Sequence, residues 1–412
     1  MRGGETRTAA ATAGFADDRL QRLTDRLRED VAAGAIPGAV ALIVRDGHTA
    51  YFEAFGYADR PTLRPMQRDS IFRIASMTKP LTVTAALILQ ERGKLLLADP
   101  VSRYIPELHD LQVGVESVDA ASGERRMTIE AARQPITVQD LMRHTAGFTY
   151  GQFGDSLVQR EYVRANLMDP HQTNGDMAGK LARIPLAYQP GTTFEYGMST
   201  DVLGRVVEIV AETSLDRFFA EHITGPLDLK DTGFAIRPTE AHRLAEPHLG
   251  AAAGSAPARI AYDPARAVKW FSGGGGLLSS AADYARYCRM LLNGGELEGV
   301  RLLSRKTVEL MTRNHLPPGL EFGTQTQELG LTAPLPRLGQ GYGLGLGVRL
   351  ESGLSMAQGS VGDYYWGGAA GPYFWVDPRE QLIVVFMLQE LDVQIRTRYR
   401  SLLRALVYQA LR

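Results

Sequence analysis

Residues 72–82 read Phe-Arg-Ile-Ala-Ser-Met-Thr-Lys-Pro-Leu-Thr, and the pattern from about Met77 to Arg92 is helical, stopping at Gly93. Ser76 and Lys79 therefore sit one helical turn apart, on one face, where the lysine ammonium reaches the serine hydroxyl. The serine N–H also lies at the positive end of the helix. This is a layout for an activated nucleophile, but the spacing is not rare. Seventeen serines and six lysines produce it by chance in roughly one chain in four. Alone, the four residues read more readily as a capping serine beside a solvated lysine. The rest of the chain has to supply the context.

Upstream, Leu20, Leu23, Leu27 and Val31 recur at helical spacing, with Gly34 placed to end that helix. Ala39–Val44 and Thr49–Phe55 flank Asp46-Gly47, a strong hairpin signal. Downstream, helices are expected from Thr137 with Asp140 as capping-box partner, over roughly Thr200–Glu212, and from Ser280 with Asp283 to Gly294-Gly295. Strand patterns return at Tyr342–Leu350, Tyr373–Val376 and Leu382–Leu388, and Ile395 to Leu411 is an amphipathic helix. Residues 112–135 and 315–340 are polar, contain Pro and Gly, and are expected as loops. Two early strands and three late ones make one antiparallel sheet. The expected fold is thus α+β, an α/β sandwich with helices flanking that sheet. Residues 1–75 and 296–412 would form the sheet part and residues 76–295 an inserted, mostly helical lobe. The site is expected in the cleft between them.

The composition narrows the function. The chain has 412 residues, 44% hydrophobic and 22% charged, which is globular usage. Forty-five basic residues against 46 acidic ones give a net charge of −1, so no electropositive field invites nucleic acid. Cys288 is the sole cysteine, which excludes an intrachain disulfide and a cysteine-rich zinc site. Met1 to Phe15 lacks the apolar run of a signal peptide, and Leu81–Leu89 is far too short to span a membrane. A soluble cytoplasmic protein with no membrane partner is expected. Lysine occurs only at 79, 94, 180, 230, 269 and 306, so a mechanism needing one has few candidates.

Two further stretches carry chemistry. Tyr196-Gly197-Met198-Ser199 is on a connector entering the helix of Asp201, Val202 and Leu203. Tyr364-Tyr365-Trp366-Gly367-Gly368-Ala369-Ala370-Gly371 lies just before a strand. Its glycines admit a close backbone or ligand, and its extended N–H groups suit an oxyanion. Other candidates are weaker. Ser272-Gly273-Gly274-Gly275-Gly276 lacks the order of a phosphate loop and reads as a close-packed turn. His144 reads as a structural hydrogen-bonding residue. His242, Glu246 and His248 surround Pro247 without helical spacing, so no metal or other cofactor is expected. The Gly-x-Ser-x-Gly elbow of the α/β-hydrolases is absent.

Ser76-x-x-Lys79, Tyr196 and Trp366-Gly367-Gly368 occur in the order of the serine β-lactamase and penicillin-binding superfamily, which the chain resembles. More closely, it looks like the class C-related family VIII carboxylesterases. The resemblance runs through FRIASMTKPLT (72–82), LMRHTAGFTYG (141–151), FEYGMSTDVLGRVVE (194–208), GGGGLLSSAADYARYCRMLLNGG (273–295) and WGGAAGPYFWVDP (366–378). It implies Ser76, Lys79 and Tyr196 as catalytic residues and the backbone N–H groups of Ser76 and Ala369 as the oxyanion hole. Trp366, Gly367, Gly368, Phe148, Tyr150, Tyr364 and Tyr365 sit in blocks expected near the cleft, as substrate-binding candidates.

Two departures from the β-lactam-active pattern point to the substrate. Trp366 stands where a Lys-Thr-Gly lysine binds the antibiotic carboxylate, and Tyr-x-Asn has become Tyr196-Gly197-Met198. Losing a charged partner costs on the order of 1.5–3 kcal/mol. The expected substrate is therefore a small neutral ester, hydrolysed through a Ser76 acyl-enzyme. Acyl transfer to an acceptor, weak β-lactamase or D-peptidase activity, and a non-catalytic scaffold are the alternatives. A tyrosine base near neutral pH needs its pKa lowered by about 2 units, or about 2.7 kcal/mol. An ammonium about 4 Å away at an effective dielectric near 20 supplies about 4 kcal/mol. Lys79 either lowers Tyr196 in this way or relays the proton itself, and the sequence leaves both open.

Overall fold

The computed structural model describes residues 8–247, 268–329 and 333–412. Helix α1, Asp17–Ala32, carries Asp17 and Asp18 in its first turn, where they complement the helix dipole. It buries Leu20, Leu23 and Leu27 on one face. Strands β1, Gly38–Arg45, and β2, His48–Asp59, form the expected hairpin. Asp46 and Gly47 have φ values of 50° and 77°, the paired positive φ that a two-residue hairpin turn needs.

The main sheet adds β3, Arg64–Pro65, from the early part of the chain and five strands from the late part. These are β4, Gln340–Tyr342; β5, Gly347–Arg349; β6, Tyr364–Gly367; β7, Tyr373–Asp377; and β8, Leu382–Leu388. Their order is β4-β5-β6-β7-β8-β1-β2-β3, antiparallel throughout. Strands β1 and β8 are central and covered on both faces, which is why both read as continuous apolar runs.

Helix α2, Thr78–Glu91, is buried from Thr78 through Leu89, and an apolar surface all round is what a central helix requires. It packs on α3, Ser199–Ala211, while α4, Ala281–Leu292, lies on β8 and β1. Helix α5, Val393–Tyr408, pairs with α1 on the opposite face of the sheet. Two large apolar clusters result, one on each face: Trp366, Phe374 and Val385 belong to one, and Tyr365, Trp375 and Phe386 to the other. The helix–sheet–helix sandwich agrees with the expected fold class.

Three local expectations need correction. Residues 112–135 contain a hairpin, Gln112–Val118 with Arg125–Ala131. Its strands are mostly exposed and held partly by the Arg125–Glu116 ion pair at 2.8 Å, so the period-2 apolar signal is missing. Within 315–340, Glu321–Phe322 pairs with Thr193–Phe194 and a short helix covers Thr324–Glu328. Tyr342–Leu350 is not one strand: the chain turns between β4 and β5, with Gly345 at a φ of 80° and the Gly343 N–H donating to Leu346 O. No helix among the described residues is long and apolar enough to cross a membrane.

Candidate active site

Ser76 lies in a tight turn, Ala75–Met77, that runs straight into α2. Ala75 has a φ of 45°, a left-handed conformation that costs a residue with a Cβ about 1–2 kcal/mol. The surroundings hold it. The Ile74 N–H donates to Leu277 O at 3.1 Å, the Tyr284 hydroxyl to Met77 O at 2.9 Å, and the Leu277 N–H to Thr78 Oγ1 at 3.1 Å. Strain kept in this way marks the position as one the fold over-determines.

Lys79 is fully buried and, among the described residues, has no carboxylate in contact. Its Nζ donates to Ser76 Oγ at 3.3 Å, to the Tyr150 hydroxyl at 3.1 Å and to Gly274 O at 2.7 Å. Three acceptors match the three protons of an ammonium. The Nζ also lies 4.6 Å from the centre of the Tyr196 ring. Burial pushes the ammonium toward losing its proton, but the attraction of Tyr150, Tyr196 and Asp201 outweighs it and holds Lys79 above the ordinary lysine range. Burial pushes the Tyr150 hydroxyl up as well, despite the opposing pull of Lys79.

Tyr196 sits between the short strand Thr193–Phe194 and α3, as its connector position implied. Its N–H donates to Thr326 Oγ1 at 2.9 Å, and its ring packs against His144, Tyr150 and Trp366. The Trp366 indole N–H donates to the Tyr196 oxygen at 3.3 Å. The tryptophan is therefore more than the apolar plane expected of it, because its polar edge points at the phenol. His144 is fully buried, with Nδ1 accepting from the Gly197 N–H at 3.4 Å and Nε2 facing Thr200 Oγ1 at 3.4 Å. Burial and nearby Lys79 lower its pKa well below the usual histidine value, so the ring is neutral. It is a structural hydrogen-bonding residue, in agreement with the sequence reading.

The Ser272–Gly276 run finds its use here. Asp201, buried on the first turn of α3, accepts from Ser272 Oγ and from the Gly274 N–H at 3.0 Å. The Gly274 carbonyl is thereby aimed at Lys79 Nζ. A Cβ at Gly274 would collide with the Asp201 carboxylate, so glycine is required. Burial raises the Asp201 pKa, although Lys79 draws it down. The sequence reading took the Ser272–Gly276 run as a close-packed turn and gave Asp201 no role. A carboxylate five residues after Tyr196, in the first turn of a helix that continues with Val202 and Leu203, was the available signal.

The other candidates divide between the faces. Strand β6 packs against the Ala75–Met77 turn, and Gly368 approaches Ile74 O so closely that a Cβ would collide with it. Gly368 and Gly371 spend their N–H groups on Pro372 O and Gly368 O, and Ala369 is exposed at the turn between them. Tyr150 ligates Lys79 directly. Phe148 is enclosed in the core, and so is Tyr364. Tyr365 is a correction. Strand alternation turns it to the opposite face from Trp366, where its hydroxyl donates to Gln340 Oε1 at 3.0 Å. His242 is exposed, with Nδ1 3.0 Å from Thr239 O, and His248 lies outside the described residues.

A serine at the mouth of a buried helix, a lysine one turn on and a tyrosine across from both, beside a strand edge, define the serine β-lactamase and penicillin-binding class of fold. The chain belongs to the beta-lactamase family, whose model matches residues 23–408. It is 28% identical over 377 residues to esterase EstB of Burkholderia gladioli, covering 85% of each chain. It is 30% identical over 400 residues to monacolin J acid methylbutanoyltransferase of Aspergillus terreus, covering 92% of each. Among solved structures, EstCE1, described as a hydrolase with promiscuous acyltransferase activity, superposes with a TM-score of 0.77. That match has 28% identity and covers 95% of this chain and 99% of the other.

Proposed function

We propose that the protein is a carboxylesterase of the Ser-Lys-Tyr type, cleaving small or short-chain carboxylic esters through an acyl-enzyme on Ser76. The observation that carries the reading is the buried Lys79 ammonium, hydrogen-bonded to Ser76 Oγ with no carboxylate in contact among the described residues. A charge placed there stabilises negative charge developing on the serine oxygen as it attacks.

In this reading Tyr196 is the base and Lys79 the ammonium that assists it. The Trp366 N–H donates to the Tyr196 oxygen at 3.3 Å and fixes its direction, beside the Lys79 ammonium. The Tyr150 hydroxyl is taken up by Lys79 Nζ at 3.1 Å and serves to position that lysine. In the first step the Ser76 proton passes to Tyr196, and the Ser76 Oγ–carbonyl bond forms. The tetrahedral oxyanion is held by the Ser76 and Ala369 N–H groups, and collapse expels the alcohol with the proton from Tyr196. Water repeats the sequence on the acyl-enzyme and releases the acid. The cleft lies between the sheet part and the helical part of the chain, and Trp366 and the glycines after it form the sheet-side wall.

A second outcome of the same intermediate is favoured by the relatives. A methylbutanoyltransferase and a hydrolase with acyltransferase activity both support passing the acyl group to an acceptor in place of water. Steady-state assays on p-nitrophenyl esters of rising chain length, with nitrocefin alongside, test the proposal. Turnover is expected on short acyl chains, with nitrocefin hydrolysis slow by comparison. A preference for long acyl chains contradicts it. Faster p-nitrophenol release on adding an alcohol assigns transfer.

A further inference from the structure

On the face of the sheet away from Ser76, a cavity of about 80 Å³ lies between α5 and strands β4, β5, β6 and β7. Its lining includes Gln340, Arg349, Thr397, Arg400, Ser401 and Arg404. Three of those six are arginines, and their situations differ. Arg349 and Arg404 are buried and both donate to Asp363, each at 2.8 Å. Their remaining nitrogens are used on Ala357 O, Gln358 O and the Tyr373 hydroxyl. Asp363 is thus shared by two cations before Arg400 is counted.

Arg400 has no such partner. Its Nε is buried without a hydrogen-bond acceptor among the described residues, and the side chain makes no ion pair among them. It is held by shape. The guanidinium lies over the Tyr373 ring at 5.4 Å, and its end fills the space that a Cβ on Gly367 would occupy. Burial lowers the Arg400 pKa, and burial together with Arg400 itself pushes neighbouring Arg396 down to about 10. The acidic groups on this side are otherwise engaged: Glu390 and Asp392 act on Arg396, and Glu390 also accepts from the Asp392 N–H. A guanidinium fixed by stacking, with its donors uncommitted beside two hydroxyls, matches the planar fork by which arginine takes an oxyanion.

We infer that this cavity is a binding site for a small oxyanion, a phosphate or carboxylate group, held by Arg400 with the hydroxyls of Thr397 and Ser401. It opens on the other face of the sheet from Ser76, with Arg400 packed on Gly367 and within electrostatic range of Tyr196, and anion binding there is read without the proposed activity. The volume suits an ion or a short headgroup.

Titration calorimetry of the full chain with inorganic phosphate and with succinate, at constant ionic strength and against chloride, tests the assignment. Saturable binding of either anion is expected, weakened about tenfold or more in Arg400→Gln. If that variant fails to fold, Thr397→Glu decides, because it sets a carboxylate one turn from Arg400 and should remove anion binding. Phosphate alone would identify a phosphoryl group, and succinate alone a carboxylate. A response no different from that to chloride overturns the site, and so does binding that survives in the folded variant.

Discussion

Two buried cation clusters lie on opposite faces of one sheet, and they are neutralised in opposite ways. Arg349 and Arg404 meet Asp363 directly, each at 2.8 Å, and tie down the loop carbonyls of Ala357 and Gln358. Lys79 touches two hydroxyls and a carbonyl, and the Asp201 carboxylate attracts it without contact while aiming the Gly274 carbonyl at it. A cation in contact with a carboxylate contributes structure, because its charge is already answered. A cation in contact only with neutral dipoles, its counter-charge at a distance, keeps more of its field for whatever forms beside it. The contrast separates the residues that hold the fold from those that work.

The comparison breaks first at Lys79. Lys79→Met should lower kcat on p-nitrophenyl butyrate by about a thousandfold or more, the scale of losing a preorganised charge at a developing oxyanion. Its melting temperature should change little, since removing a buried charge offsets the lost contacts to Tyr150 and Gly274 O. A large fall in melting temperature would mean that Lys79 is structural after all.

Asp363→Ala is expected to do the reverse. Leaving two guanidinium groups buried and uncompensated should cost about 3–5 kcal/mol in denaturant unfolding. Residual folded enzyme should keep its KM. A loss below about 1 kcal/mol would remove the distinction between the two clusters.

Trp366→Phe sharpens the picture within the active site. Removing one donor to a charged acceptor costs about 1.5–3 kcal/mol, or roughly ten- to a hundredfold in kcat. The loss should fall on kcat with KM nearly unchanged, since Trp366 contacts the Tyr196 oxygen. An unchanged kcat would remove that contact from the catalytic machinery.

The smallest effect belongs to Asp283, a buried acid answered mainly by neutral donors, the Asp231 N–H at 2.7 Å and Thr232 Oγ1 at 3.0 Å. Burial raises its pKa from the usual aspartate range to about 6. The folded state then binds more protons than the unfolded state between pH 4 and 6, and stability falls as pH rises through that window. Denaturant unfolding of wild type against Asp283→Asn should show the difference shrinking as pH rises. No trend would place the carboxyl in water.

Much of this was legible in the residues. Asp46-Gly47 dictated the hairpin, the apolar runs of β1 and β8 dictated central strands, and Ser76-x-x-Lys79 with Tyr196 pointed to the site. These signals are local, or they follow a strict period. What was not legible depended on partners distant in sequence. Tyr365 and Trp366 are neighbours with the same aromatic character, and only the register of Trp366 on Phe374 and Tyr365 on Trp375 separates their faces. Asp201 gains meaning from Gly274, 73 residues on, and the glycine run gains meaning from Asp201. The Gln112–Ala131 hairpin escaped notice because its exposed strands rely on charge pairs and a turn around Asp119 in place of apolar alternation.

The central claim is that Ser76 carries the acyl group. Peptide mass spectrometry after reaction with a fluorophosphonate tests it most directly. One adduct per chain is expected, on the peptide containing Ser76, and absent from a folded Ser76→Ala variant. Labelling elsewhere, or labelling that persists in Ser76→Ala, would contradict the assignment.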